Sequence, residues 1–299
     1  MGRYLTPTAD LTFKKVFGRH PDLMMSLLNA MLPLPEGEEV VDIKYLPAEL
    51  VPDTPIKKNS IVDVRCQEKN GRQFLVEMQL EWTTNFMQRV LFNASKAYVR
   101  QLDKSEHYEV LQPVYALSFV NAVFEPDMNT FYHHYALVHS EDTGKIIDGL
   151  QLVFIELPKF KPTTFTGKKM RALWLRYLTE INENTRSAPP ELLENPQLRK
   201  ALDIVEESAY SDTEIYAYDK YWDAVRTEKT LFFGKWEEGK AEGLAEGLEK
   251  GLEKGRPEGL AEGKKMERFD IARKALQRGL AVADVAALTG LTEDEIRKL

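Results

Sequence analysis

Apolar positions change period several times along the first 160 residues, and each change marks an element. Residues 8–32 read as a helix: Thr6-Pro7 sets a capping residue before a proline, and Leu11, Val16, Phe17 and Leu23 through Leu28 form an apolar stripe. Pro21 interrupts that stripe, and Pro33 and Pro35 close it. Val40 to Leu50 fits a strand, and Pro52 and Pro55 mark a loop. The runs 60–67 and 73–80 are rich in β-branched and aromatic residues and flank Asn70-Gly71, a strong hairpin signal. Residues 84–103 lack Gly and Pro, and Phe86, Val90, Leu91, Ala94, Ala97 and Leu102 recur at helical spacing. Val110–Val123, Tyr132–His139 and Leu150–Leu157 read as strands. This order predicts an α/β or α+β domain around a mixed sheet. Residues 168–233 read as helical, with Trp174, Leu175, Tyr177 and Leu178 as core candidates.

Beyond this the pattern becomes a repeat. Gly239, Gly243, Gly247, Gly251, Gly255, Gly259 and Gly263 recur every four residues. Four residues turn a helix by about 400°, so the glycine stripe drifts by about 40° per repeat. Each glycine costs a helix roughly 1 kcal/mol, and Pro257 predicts a break. The segment is either a charged spacer or a helix whose glycine face admits a second chain. Residues 267–299 read as three short helices separated at Gly279 and Gly290, an arrangement that resembles a helix-turn-helix. Glu293, Asp294 and Glu295 suit a helix N-terminus better than a phosphate backbone, which favours a packing or dimerisation module over a DNA reader.

Composition narrows the class. The net charge is −7; residues 1–234 carry 27 basic and 33 acidic side chains, and so −6 of it. That excludes a polycationic DNA coat but not an enzyme with a local basic groove. Nine of the 17 glycines follow residue 234, so glycine describes the tail alone. The single cysteine, Cys66, excludes a disulfide framework and a Cys-rich zinc site, and its apolar surroundings make it a core residue. The first residues hold no apolar signal region and no run of about 18 apolar residues exists, so the expectation is a cytoplasmic protein without a membrane span.

The hairpin carries the candidate chemistry. With Lys69-Asn70-Gly71 as a three-residue loop, paired residue numbers sum to 140 and Asp63 lies opposite Glu77, with Gln79 on the same face. Val62, Val64, Phe74, Val76 and Met78 then fill the other face. A two-residue Asn-Gly loop would instead put Asp63 and Glu77 on opposite faces. In the first register the two carboxylates are either solvent-facing charges or ligands of a divalent cation that relieves their repulsion. Oxygen ligands suit Mg²⁺ or Mn²⁺.

The spacing Asp63, Glu77, Gln79 resembles the PD-(D/E)xK nuclease signature in a variant ending in Gln. Asp10-Leu-Thr-Phe-Lys-Lys-Val-Phe-Gly18, Val76-Glu-Met-Gln79, the helix with Phe86, Arg89 and Tyr98, His107-Tyr108 and Leu111-Gln-Pro-Val-Tyr115 extend the likeness. So do Ile155-Glu-Leu-Pro-Lys-Phe160, Trp174 and the glycine-repeat tail. Together they resemble the Rpn family of recombination-promoting nucleases, also described as PD-(D/E)xK family transposases. The resemblance implies an α/β restriction-endonuclease-like core of αβββαβ order, with a mixed sheet flanked by helices and a helical C-terminal extension. The implied divisions are a nuclease core over 1–165, a helical extension over 166–234, a repeat linker or helix over 235–266 and a helical module over 267–299. It further implies a metal-dependent DNA endonuclease of low sequence specificity that promotes recombination. Asp63, Glu77 and the Met78 carbonyl would hold Mg²⁺ or Mn²⁺, with Gln79 and Asp10 as further active-site residues. Arg89, Lys14 and Lys15 would face DNA, and the tail or terminal helices would support a homodimer. Gln79 departs from the lysine usual at its position: an amide can orient water but supplies no charge and no base, which opens the alternative of a weak or silent nuclease fold.

Overall fold

The computed structural model describes residues 4–50, 60–102, 107–162 and 169–299. The Pro52 and Pro55 loop lies outside these residues. Two compact units divide the chain, Met1–Tyr221 and Trp222–Leu299.

The first unit opens with two helices where the stripe predicts one: α1 (Asp10–Phe17) and α2 (Pro21–Met31). The break falls at Gly18–His20 because Pro21 cannot continue the preceding helix but suits the first position of the next. The cap also shifts, from Thr6 to Ala9. Thr12 donates to the carbonyls of Thr6 and Ala9, fastening the lead-in segment to α1. The predicted strand Val40–Leu50 is two short pieces, β1 (Lys44–Tyr45) and β2 (Glu49–Leu50), which belong to different sheets.

Next come β3 (Ser60–Ile61), β4 (Val64–Gln67), β5 (Gln73–Gln79), α3 (Phe86–Val99), β6 (Val114–Val120), β7 (Tyr132–His139) and β8 (Asp142–Glu156). The six-stranded sheet runs β1-β4-β5-β6-β8-β7, and β2 pairs with β3 in a second, two-stranded sheet. β5, β6 and β8 are mutually parallel, whereas β4 and β7 are antiparallel to their neighbours. The mixed sheet follows from the connections: α3 crosses over between the adjacent parallel strands β5 and β6, and the hairpins add antiparallel edges.

Both faces of the sheet are covered, which explains why β6, VYALSFV, is buried at every position. On one face Val64, Cys66, Phe74, Val76, Leu117, Phe119 and Ile155 pack with α1, α2, α4 (Lys169–Glu180) and α6 (Pro196–Val205). Phe13, Phe17, Phe119 and Trp174 form a chain of edge and tilted ring contacts there. On the other face Leu75, Val114, Ala116 and Phe154 pack against Phe86, Val90, Ala94 and Ala97 of α3. Cys66 is buried, and burial pushes its thiol up to about 12, so it is a protonated core residue. Between α4 and α6 lies the short α5 (Pro190–Glu194).

Helix α7 (Asp212–Gln277) runs through the whole glycine repeat, with Pro257 inside it, where the sequence predicts a break. Glu, Leu, Ala and Lys between the glycines are good helix formers, and Glu246 pairs with Lys250 one turn on. At the end of the second unit, α8 (Val282–Thr289) and α9 (Glu293–Ile296) close a small core of Ala272, Ala275, Val285, Leu291 and Ile296. Thr292 and Glu295 form a reciprocal capping box, so the acidic residues at this helix start serve the helix N-terminus as their position implies. Among the described residues no helix is long and apolar enough to cross a membrane.

Candidate active site

The hairpin has the register of the three-residue loop. Val64 faces Val76, Arg65 faces Leu75, Cys66 faces Phe74 and Gln67 faces Gln73. Glu68 receives the N–H of Gly71 at 3.0 Å and donates its own to Arg72 at 2.9 Å. Gly71 has φ +101°, and a Cβ there would meet the Gln112 side chain at 2.9 Å, so the turn needs glycine twice over.

The ladder ends at Val64, and the chain bends at Asp63. This corrects the expected face of Val62. It packs with Leu75 and α3 rather than beside Val64, because its backbone N–H pairs with Ala48 in the β2–β3 corner. Asp63 uses the bend to turn its carboxylate onto the next strand, where Oδ2 accepts the Met78 N–H at 2.7 Å. Burial raises the Asp63 pKa above the usual carboxylate value; the Met78 N–H and Lys14 oppose the shift, and the charge of Asp10 adds to it.

Three side chains from α1 bear on this corner or beside it. Lys14 lies 2.6 Å from Asp10 and 3.6 Å from Asp63. Burial pulls the Lys14 ammonium down, but Asp10 and Asp63 outweigh it and hold the pKa above the ordinary lysine value. Lys15 is not brought to the carboxylates. It donates to Glu214 at 3.0 Å and to the carbonyl of Ala209, and sits 3.5 Å from the Tyr210 ring centroid.

Glu77 is the other half of the site. It is buried, with 7% exposure, and pairs across β6 with Ser118. Its Oε1 accepts from Asn93 at 3.2 Å and its Oε2 lies 3.4 Å from Arg89 Nη2. Burial raises its pKa above the usual value; Arg89 and Asn93 oppose this, and the charge of Asp63 adds to it. The two carboxylates therefore sense one another. Gln79, two residues on, accepts from Arg89 at 2.8 Å and donates to the carbonyl of Glu81 at 2.7 Å. Arg89 is itself seated over the Phe86 ring, 4.8 Å from its centroid.

Two participants escape the sequence reading. Asn93, 1% exposed, sits one turn beyond Arg89, and this i, i+4 polar pair beside Val90 and Ala94 was the available signal. Tyr221 is 211 residues from Asp10 in sequence, yet its hydroxyl is pushed up to about 12 by burial and by the charges of Asp10 and Asp63. It is brought there by the first turns of α7, which belong to the first unit. His133 and His134 diverge, as adjacent strand residues must: His133 meets the buried Glu156 at 3.2 Å, and His134 meets Gln151. Glu156 also accepts the N–H groups of Phe124 and Glu125 at 2.5 and 2.9 Å and pairs with Lys159, fixing the loop that follows β6.

Among the described residues no three His, Cys, Asp or Glu side chains gather at one point. A divalent ion held by Asp63 and Glu77 would draw its remaining ligands from backbone oxygen and water. That donor set fits Mg²⁺, which dehydrates reluctantly and is commonly bound through one or two carboxylates. Half-buried Asp63 and buried Glu77, both with raised pKa values and each faced by one cationic side chain, also fit a centre that accepts positive charge.

Comparison with family models gives two matches. Residues 7–231 match the PD-(D/E)XK nuclease family transposase model. Residues 265–299 match the Rpn/YhgA-like nuclease family C-terminal HTH domain. No curated protein and no solved structure matches the chain.

Proposed function

Because the chain belongs to the PD-(D/E)XK nuclease family transposases and ends in the Rpn/YhgA-like HTH domain, we propose that it is a metal-dependent DNA endonuclease. It hydrolyses phosphodiester bonds with little sequence preference, and the ends it makes promote recombination. The observation that carries this reading is the pair of carboxylates, half-buried Asp63 and buried Glu77, at the open end of the β4–β5 hairpin. Asp63, Glu77 and the Met78 carbonyl would hold Mg²⁺ or Mn²⁺. Such an ion supplies a polarised phosphate and a bound water of lowered pKa.

The chain's own residues set up that chemistry. The Met78 N–H and Lys14 fix the Asp63 carboxylate, and Asn93 and Arg89 fix Glu77. Asp10 acts through Lys14, which it holds within reach of Asp63. Arg89 and Lys14 are the cations placed to meet a DNA phosphate; Lys15 serves instead as a cross-link to Glu214. The HTH domain match makes residues 265–299 a second contact to DNA rather than the packing module that their acidic last helix suggests, and the tail or terminal helices provide a homodimer contact. A cytoplasmic location accompanies the reading.

A second reading, binding of DNA or partner proteins without cleavage, draws on the same pairs: Lys14 and Arg89 already neutralise the two carboxylates. Nicking of supercoiled plasmid by the purified chain separates the two. The nuclease reading expects cutting with Mg²⁺ or Mn²⁺, none with EDTA, and none from Asp63→Ala. Full cutting by Asp63→Ala would remove the site assignment, and DNA binding without cutting under any divalent ion would favour the second reading.

A further inference from the structure

Resting on the nuclease reading above, we infer that Gln79 acts through Arg89. Its amide holds the guanidinium against Glu77, and Arg89 is the cation that the site presents to the scissile phosphate.

The amide is engaged at both ends. Oε1 accepts from Arg89 Nη2 at 2.8 Å, and Nε2 donates to the Glu81 carbonyl at 2.7 Å. The chemistry of the partners fixes this orientation, since a guanidinium only donates and a carbonyl only accepts. The same Nη2 lies 3.4 Å from Glu77 Oε2, so one nitrogen bridges the two β5 residues that share a face. Beneath it Phe86, one turn earlier in α3, offers its ring at 4.8 Å. The guanidinium is thus located by Glu77, Gln79 and Phe86, while its side chain remains 48% exposed. A located and accessible guanidinium is a fork for phosphate oxygens.

A guanidinium is a hydrogen-bond donor only, so Arg89 acts on the step through its contacts to the phosphoryl oxygens. In hydrolysis the oxygen of water bonds to phosphorus, the bridging oxygen leaves with the electron pair and is protonated, and the proton of water passes to solvent. Arg89 stabilises the negative charge that grows on the phosphoryl oxygens. Gln79 is a positioning residue.

The test is plasmid nicking in Mn²⁺, resolved into kcat and KM, alongside DNA affinity in EDTA by fluorescence anisotropy. Arg89→Met, which keeps the stem over Phe86, and Arg89→Ala are expected to lower kcat about 100-fold. Their metal-free DNA affinity should fall less than about tenfold, and Arg89→Lys should recover part of the kcat. Gln79→Ala is expected to cost about tenfold in kcat, and the double variant no more than Arg89→Ala alone, because both act on one contact. Gln79→Lys placed on Arg89→Ala brings an ammonium beside Glu77 and should restore about tenfold. Full kcat in Arg89→Ala, losses that multiply in the double variant, or a larger loss from Gln79→Ala than from Arg89→Ala would each overturn the inference while leaving the nuclease reading intact. A wild-type chain that cuts no DNA would remove both.

Discussion

Replacing Asn93 by alanine takes away the amide that donates to Glu77 Oε1 at 3.2 Å from within the core. A hydrogen bond to a charged group contributes about 1.5–3 kcal/mol, and the separation places this one near the lower end. It favours the ionised carboxylate, so its loss raises the Glu77 pKa further, in the direction burial already drives it. About 1.5 kcal/mol corresponds to about one pH unit. An ion held by Glu77 needs the carboxylate ionised, so its affinity should fall on the acid side first. Isothermal titration with Mn²⁺ between pH 6 and 8 reads this out. Relative to wild type, Asn93→Ala should bind up to about tenfold more weakly on the acid limb, that limb lying about one unit higher and the gap narrowing as pH rises. Affinity unchanged across the range, or an acid limb that moves down, would refute the placement of Asn93 behind a metal-binding carboxylate.

Asp63→Asn should stabilise the metal-free protein, because burial makes the ionised Asp63 unfavourable and the Lys14 pair, partly exposed, returns little. At pH 8 in EDTA a rise of about 2–4 °C in Tm is expected, for about 1 kcal/mol in a unit of this size. The advantage should vanish as pH falls through the raised Asp63 value, where the wild-type carboxyl is neutral too; a lower Tm for the variant at pH 8 would count against it. Glu156→Ala leaves two backbone N–H groups and Lys159 without their carboxylate and should cost about 3–5 kcal/mol, lowering Tm by roughly 6–20 °C. Lys159 and the two N–H groups outweigh burial and hold the Glu156 pKa below the usual glutamate value. The wild-type advantage should therefore hold above the ordinary carboxylate range and disappear as acid passes that lowered value. Gly247→Ala with Gly251→Ala, where nothing lies within 4 Å of the added Cβ, should strengthen α7 by about 0.5–1 kcal/mol per site, seen as a higher melting temperature of the 222 nm signal. A loss of helix would show that this face is covered in solution.

The hairpin was legible because two strands around Gly71 leave few registers, and the three-residue loop sets Val64 against Val76 through Gln67 against Gln73. The flip of Val62 was not, because a bend at one residue cancels the two-residue period from there on, and the partner that causes it, Ala48, is supplied by another strand corner. The signature residues could be read from the two arms of the hairpin, and Lys14 and Arg89 from the helices on either side of it. Asn93 and Tyr221 could not, because the packing of α3 and α7 that brings them to the carboxylates leaves no spacing in the sequence. The tail shows the converse: the cost of glycine is a local term, and the good helix formers between the glycines carry α7 past Pro257.

The most direct measurement of the metal centre is an anomalous difference map from crystals of the full chain grown with Mn²⁺. The expected peak lies between the carboxylates of Asp63 and Glu77 and against the Met78 carbonyl, with Lys14 drawn back from Asp63 and Arg89 still held by Gln79. A map with no peak at this corner while Lys14 still contacts Asp63, or a peak bound elsewhere, would contradict the assignment.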